Sequence, residues 1–178
     1  MDITIRRGVP ADAGPLADLA ASTFRDTYAV QNRAEDMALY VSRVYGLSQQ
    51  ETELSDPEMT TVLAEVDGQL AGYAQLRAGR VPDCVRGVRP LEVWRFYVAA
   101  PWQGRGVAHA LMRRVELEAR ARAAHTLWLG VWERNERAKS FYRKCGFADV
   151  GSQVFMLGTD AQTDRILVRL LPSGPQGS

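Results

Sequence analysis

The sequence predicts an α/β protein of the α+β kind, with a mixed sheet of about seven strands and four helices packed on it. Three observations carry this. Seven short runs read as strands, and four longer stretches repeat their apolar residues at helical spacing. The two kinds interleave in the order β-α-α-β-β-β-α-β-α-β-β, which buries apolar faces best as helices on a sheet. No internal repeat or interdomain linker interrupts the 178 residues, so residues 1–171 read as one domain. The final PSGPQGS, residues 172–178, reads as a flexible tail.

Ile3 and Ile5 alternate with polar neighbours, as in a short strand. Pro10 and Asp12 open a helix with Leu16, Leu19, Ala20 and Phe24 on one side. Residues 35–50 form a second helical stretch, carrying Met37, Tyr40, Val41, Val44 and Tyr45. In TTVLAEVDGQLAGYAQLRAG, Asp67-Gly68 marks a hairpin turn between two strands. Residues 81–90 are a loop rich in Gly, Pro and Arg, and LEVWRFYV is the next strand. Residues 107–124 form an amphipathic helix with Ala108, Leu111, Met112, Val115 and Ala119 inward. TLWLGVW is a strand. Asn135 caps a helix bearing Ala138, Phe141, Tyr142 and Cys145, and Gly146 ends it. Residues 150–157 and 166–171 close the sheet.

Composition sets bounds on function. No apolar run approaches the ~20 residues of a membrane span, and MDITIRRGVP is too short in apolar residues for a signal peptide. Cys84 and Cys145 lack metal-ligand spacing, and His109 and His125 have no metal partners, so no metal is expected. Two lone thiols suggest a reducing, cytoplasmic setting. The net charge of +1 divides unevenly: residues 1–60 hold ten acids against five arginines, and the remainder is basic. That split fits two ligands of opposite sign as well as it fits a solvated surface. The basic excess is dispersed and no DNA-reading motif occurs, so nucleic acid is not an expected partner.

Chemistry concentrates at FYVAAPWQGRGVAHAL. Two glycines flank an arginine where a strand passes into a helix. Glycine lets backbone approach a ligand closely, and a helix's first turn offers unpaired N–H groups with the positive end of its dipole. A pyrophosphate suits such a site. No Gly-Lys-Ser/Thr follows, which excludes a Walker loop, and no acid lies within the next strand, as a dinucleotide fold requires.

The stretch Gln103-Gly104-Arg105-Gly106-Val107-Ala108 resembles the Q/R-x-x-G-x-G/A loop of the Gcn5-related N-acetyltransferase (GNAT) superfamily. VWERNERAKSFYRKCGF, about thirty residues on, resembles that superfamily's V-x-x-x-N-x-x-A-x-x-x-Y-x-x-x-G-F. ETELSD, LEVWRFYV, WLGVWERN, GSQVFMLGTDAQTD and FRDTY further resemble the PaiA-type spermidine/spermine acetyltransferases over nearly the whole chain. Trp94 departs from that pattern, where a second acid is expected.

The resemblance implies a mostly antiparallel GNAT sheet, acetyl-coenzyme A as donor and a small amine as acceptor, by direct transfer. A polyamine leads. Another small amine, a protein amine, or a non-catalytic acetyl-coenzyme A-binding regulator remain alternatives, and a homodimer stays open. By the same resemblance, the backbone of Phe96, Tyr97 and Val98 pairs with the pantetheine arm. The N–H groups of Gly104, Arg105, Gly106, Val107, Ala108 and His109 hold the pyrophosphate behind Gln103, and Asn135 contacts pantetheine as well as capping its helix.

Direct transfer needs a neutral amine and a protonated leaving thiolate. A primary amine, pKa ~10.4, is neutral in about one molecule per thousand near pH 7.4, a cost of roughly 4 kcal/mol. Glu92 is the candidate base: even spacing predicts one strand face for Glu92, Trp94, Phe96 and Val98, and the position matches the glutamate base of histone-acetylating relatives. An ion-paired strand glutamate is the plainer alternative. Tyr142 is the candidate acid, two helical turns after Asn135, although a core aromatic would fit the same stripe. Gly130 excludes a glutamate base on the next strand and leaves room for close approach. Glu35 and Asp36, beside Tyr40, are the first acids expected to hold distal ammonium groups.

Overall fold

A computed structural model describes residues 1–157 and 159–172; of the expected tail, residues 173–178 lie outside the described residues. Seven strands form one sheet in the order β1-β2-β3-β4-β5-β7-β6. They are β1 (Ile3–Arg7), β2 (Met59–Val66), β3 (Gln69–Arg77), β4 (Pro90–Val98), β5 (Thr126–Trp132), β6 (Ala148–Leu157) and β7 (Asp160–Leu170). Every neighbouring pair is antiparallel except β4 and β5. The β2–β3 hairpin turns through Asp67 and Gly68, both at positive φ, as the right-handed twist of the strands favours.

Among the described residues the α-helices number five, where four were expected: α1 (Ala13–Tyr28), α2 (Ala34–Val44), α3 (Leu47–Ser55), α4 (Val107–Ala121) and α5 (Glu136–Lys144). The stretch 35–50 is not one helix. Gly46, costly inside a helix, is extended at φ −66° and ψ 155° and starts α3. The two faces of the sheet are covered separately. Val107, Leu111, Met112 and Val115 of α4, with Phe141 and Tyr142 of α5, pack on Leu91, Val93, Leu127 and Leu129. On the other face, Leu16 and Phe24 of α1 and Met37 and Val41 of α2 pack on Leu63 and Tyr73. Strand β7 begins at Asp160 rather than near residue 166, so its polar first half is also in the sheet. Among the described residues, no helix is long and apolar enough to cross a membrane.

One irregularity positions the site. In the β3–β4 ladder Gln75 pairs with Arg95 and Leu76 with Val93, which leaves Trp94 as an extra residue. Such a bulge bends its strand and shifts the alternation of side chains by one. Leu91 and Val93 before it, and Phe96 and Val98 after it, therefore all face α4. Arg95 turns to the opposite face. There it is buried, donating to Glu53 of α3 at 2.6 Å and to Gln75 at 2.7 Å.

Candidate functional site

Strands β4 and β5 pair only from Pro90 to Glu92, against Thr126 to Trp128. Beyond the bulge they separate. The edge of β4 at Phe96, Tyr97 and Val98 is paired with β3 alone, so its backbone groups toward β5 face an open split. A cleft fills this split, lined from α1 by Thr27 and Tyr28, from the strands by Phe96 and Gly130, and from the α5 region by Asn135 and Tyr142. An adjoining apolar groove runs along Phe96, Val98, Ala108 and Phe141 to Gly104. The opening thus crosses the sheet from the α1 face to the α4–α5 face.

The glycine loop ends this groove. Gly104 and Gly106 have φ of +74° and +88°, and Gly106 is the left-handed N-cap of α4. The first helical hydrogen bond runs from the Ala110 N–H to the Gly106 carbonyl at 3.0 Å. The amides of Val107, Ala108 and His109 precede it and have no helical acceptor. They form, with the helix dipole, a cradle for an anion. The side chains nearby serve other ends. Val107 is buried in the core, the Arg105 guanidinium stands 5.6 Å from the Trp102 ring, and the His109 ring lies 5.2 Å from Phe141.

The opposite wall belongs to α5. Asn135 is its N-cap, and its Oδ1 accepts from the Ala138 N–H at 3.1 Å, which occupies only one end of the amide. Gln103 ties this wall to β4: its Nε2 donates to the Val98 carbonyl at 2.8 Å, while its Oε1 accepts from Arg137. Arg137 lines both the cleft and the groove, a role that sequence spacing did not indicate. Tyr142 is only 7% exposed, packed edge-on against Phe96 and Phe147, yet it borders both cavities. Its hydroxyl makes no hydrogen bond among the described residues. Burial pushes its phenol well above the usual tyrosine value, which already keeps the proton on near neutrality.

Other expected residues are placed elsewhere. Glu92 does not share a face with Phe96 and Val98, because the bulge at Trp94 intervenes. It is buried at 7% exposure and accepts from Arg77 Nε at 2.6 Å, and its carboxylate closes against Gly79, where a Cβ would collide with it. It is the ion-paired strand glutamate. Trp94, by contrast, does line the cleft, under two guanidiniums, Arg77 at 3.8 Å and Arg95 at 3.7 Å. Asp36 accepts from the Thr159 N–H and hydroxyl, which hold its carboxyl below the usual range, and Glu35 pairs with Arg33 on the surface.

A different carboxylate stands behind the cleft. Asp164 of β7 lies directly across from Trp132 on one side and Gln153 on the other. Its Oδ2 is 3.1 Å from where a Cβ on Gly130 would sit. It makes no hydrogen bond or ion pair among the described residues. Desolvation pushes its carboxyl up to about 6. Its field reaches the phenols of Tyr28 and Tyr40. Sequence reading gave it no role because residues 160–165 lack the apolar pattern of a strand, although Asp164 ends the PaiA-like stretch GSQVFMLGTDAQTD and stands behind the bare Gly130.

Comparison with known proteins adds a lineage to this geometry. The family described as "Acetyltransferase (GNAT) family" matches residues 20–147. An uncharacterized N-acetyltransferase of Lactobacillus delbrueckii subsp. lactis is 34% identical over 153 residues, covering 86% of this chain and 88% of its own. An aminoglycoside N(6')-acetyltransferase type 1 of Stenotrophomonas maltophilia is 30% identical over 85% of this chain and 90% of its own. Among solved structures, the PaiA N-acetyltransferase of Thermoplasma acidophilum, in complex with coenzyme A, superposes with a TM-score of 0.78. It is 20% identical, over 96% of this chain and 100% of its own.

Proposed function

The chain belongs to the acetyltransferase (GNAT) family, and on that premise we propose that it moves an acetyl group from acetyl-coenzyme A to a primary amine of a polyamine, by direct transfer in the β4–β5 split. The observation that carries this reading is Tyr142: a desolvated, protonated phenol bordering both the apolar groove and the cleft.

The residues present fit the donor. The unpaired amides of Val107, Ala108 and His109 suit a pyrophosphate, with Gly104 and Gly106 giving the loop its positive-φ turn. The edge of β4 at Phe96, Tyr97 and Val98, left unpaired by β5 and capped only where Gln103 holds the Val98 carbonyl, suits an extended arm carrying amide groups, as an added strand would pair. Asn135 keeps its amide N–H group available on the facing wall. Acetyl-coenzyme A supplies an activated acetyl thioester. Tyr142 gives its proton to the departing sulfur, the acylated nitrogen sheds its surplus proton to water in the open cleft, from which the phenolate is reprotonated, and the backbone N–H of Val98 is the oxyanion donor.

Glu92 is not part of this reading, since its carboxylate is closed between Arg77 and Gly79. A polyamine is favoured by the PaiA-type motifs and by the aminoglycoside-acetylating relative, whose named substrate class also carries several amines. The test is a panel of amines with acetyl-coenzyme A, following release of free thiol. Spermidine and spermine should react fastest. Thiol release with amino acids but not with polyamines would refute the acceptor, and no release with any amine would refute the transferase.

A further inference from the structure

We propose that Asp164, with Tyr28 and Trp132, forms the subsite that anchors the acceptor as a cation, through an ammonium group on a flexible alkyl chain. This rests on the acetyl-transfer reading and deepens it by naming the group that recognises the acceptor.

Placement is the first argument. Trp132, Asp164 and Gln153 are consecutive partners across β5, β7 and β6, so their side chains stand in one row on the α1 face. Gly130, one step along β5 on that face, has no side chain to screen the row from the cleft that it lines. An alanine there would put its Cβ within 3.1 Å of the Asp164 carboxylate and 3.2 Å of the Gln153 amide. Tyr28, which also lines the cleft, packs its ring 5.4 Å from that of Trp132. The bare glycine therefore joins the transfer cleft to a carboxylate with aromatic walls.

Chemistry is the second argument. Acids in folded proteins are paired or hydrogen-bonded when they lose water, because an isolated charge away from solvent is costly. Other partly buried acids of this chain obey the rule: Glu53 holds Arg95, Glu92 holds Arg77, Glu118 holds Arg7 and Arg114, and Asp12 holds Arg6. Asp164 has lost much of its water and has no such partner among the described residues. Its cross-strand neighbours are Gln153 from β6 and the Trp132 ring from β5, and the Tyr28 and Tyr40 phenols are near enough to feel its charge; none is cationic, and the guanidiniums that line the cleft, Arg95 and Arg137, are taken up by Glu53 and Gln103. A carboxylate left without a cation, beside aromatic faces that attract cations, is complementary to an ammonium ion. A neutral or anionic acceptor would leave that charge unpaired.

The experiment measures spermidine binding by calorimetry to protein saturated with coenzyme A, so that no turnover occurs. In Asp164→Asn the affinity should fall by about tenfold or more, the usual weight of a charge-assisted contact. Coenzyme A affinity, measured in the same series, should not change. Asp164→Glu should recover part of the spermidine affinity. Equal spermidine affinity in wild type and Asp164→Asn overturns the proposal, and so does a wild type that binds no spermidine. In the latter case continued coenzyme A binding, and acetylation of some other amine, would leave the transferase reading intact.

Discussion

Two side chains show how far burial alone sets chemistry. Tyr142 brings to the groove a phenol that burial makes still harder to ionise, so Tyr142→Phe should lower kcat strongly while leaving acetyl-coenzyme A affinity nearly unchanged, read by steady-state rates beside equilibrium binding. Asp164 is the converse case. Its carboxyl sits at about 6 in the fold against ~3.9 in an unfolded chain, so the native state holds the proton more tightly. Stability is then lost as pH rises from about 4 through about 6. Removing the charge should relieve this: ligand-free Asp164→Asn should melt above wild type at pH 7.5, with the gap closing near pH 4. A lower melting temperature at pH 7.5 would mean that the carboxylate is paired and not strained. Glu92 is the residue where sequence spacing misled, since alternation holds only along an unbulged strand. Glu92→Gln should leave the pH–rate profile superimposable on that of wild type from pH 6 to 9.

Among the elements, the strands and helices with strong apolar periodicity were legible, and those with polar faces were not. The hairpin at Asp67-Gly68, the strand at LEVWRFYV and the capped helix after Asn135 lie where their residues put them. The split of α2 from α3 and the early start of β7 escaped. The first depends on one glycine, and the second on polar residues whose strand conformation comes from pairing with β6. The bulge at Trp94 has no local signature, because it exists only in register with β3. Two elements can be tested directly. Gly106→Val should abolish stabilisation by acetyl-coenzyme A in thermal shift while the apo protein still melts cooperatively, since valine does not tolerate φ of +88° beside the anion cradle. Glu53→Ala should strand the Arg95 guanidinium between α3 and the sheet and cost about 3–5 kcal/mol by urea unfolding.

For the molecule as a whole, the uneven charge along the chain proved a weaker guide than it looked. Asp12, Asp36 and Glu53 from the acidic third are engaged in the fold. What remains exposed contributes to acceptor choice only through screened interactions of ~0.2–1 kcal/mol each. The preference for spermidine over a monoamine of similar length should therefore shrink modestly with added salt, while the contribution of Asp164 persists, measured as kcat/KM ratios at low and high ionic strength. The glycine loop and the α5 wall were legible because two local signatures mark them; the row behind Gly130 was not, because α1, β5 and β7 bring it together from distant stretches. The split between β4 and β5 carries a kinetic consequence. Since it opens on both faces of the sheet, each substrate has its own door, and neither must leave before the other arrives. Double-reciprocal plots should accordingly intersect rather than run parallel, and enzyme incubated with acetyl-coenzyme A alone should carry no acetyl mass on Cys145 or any other side chain.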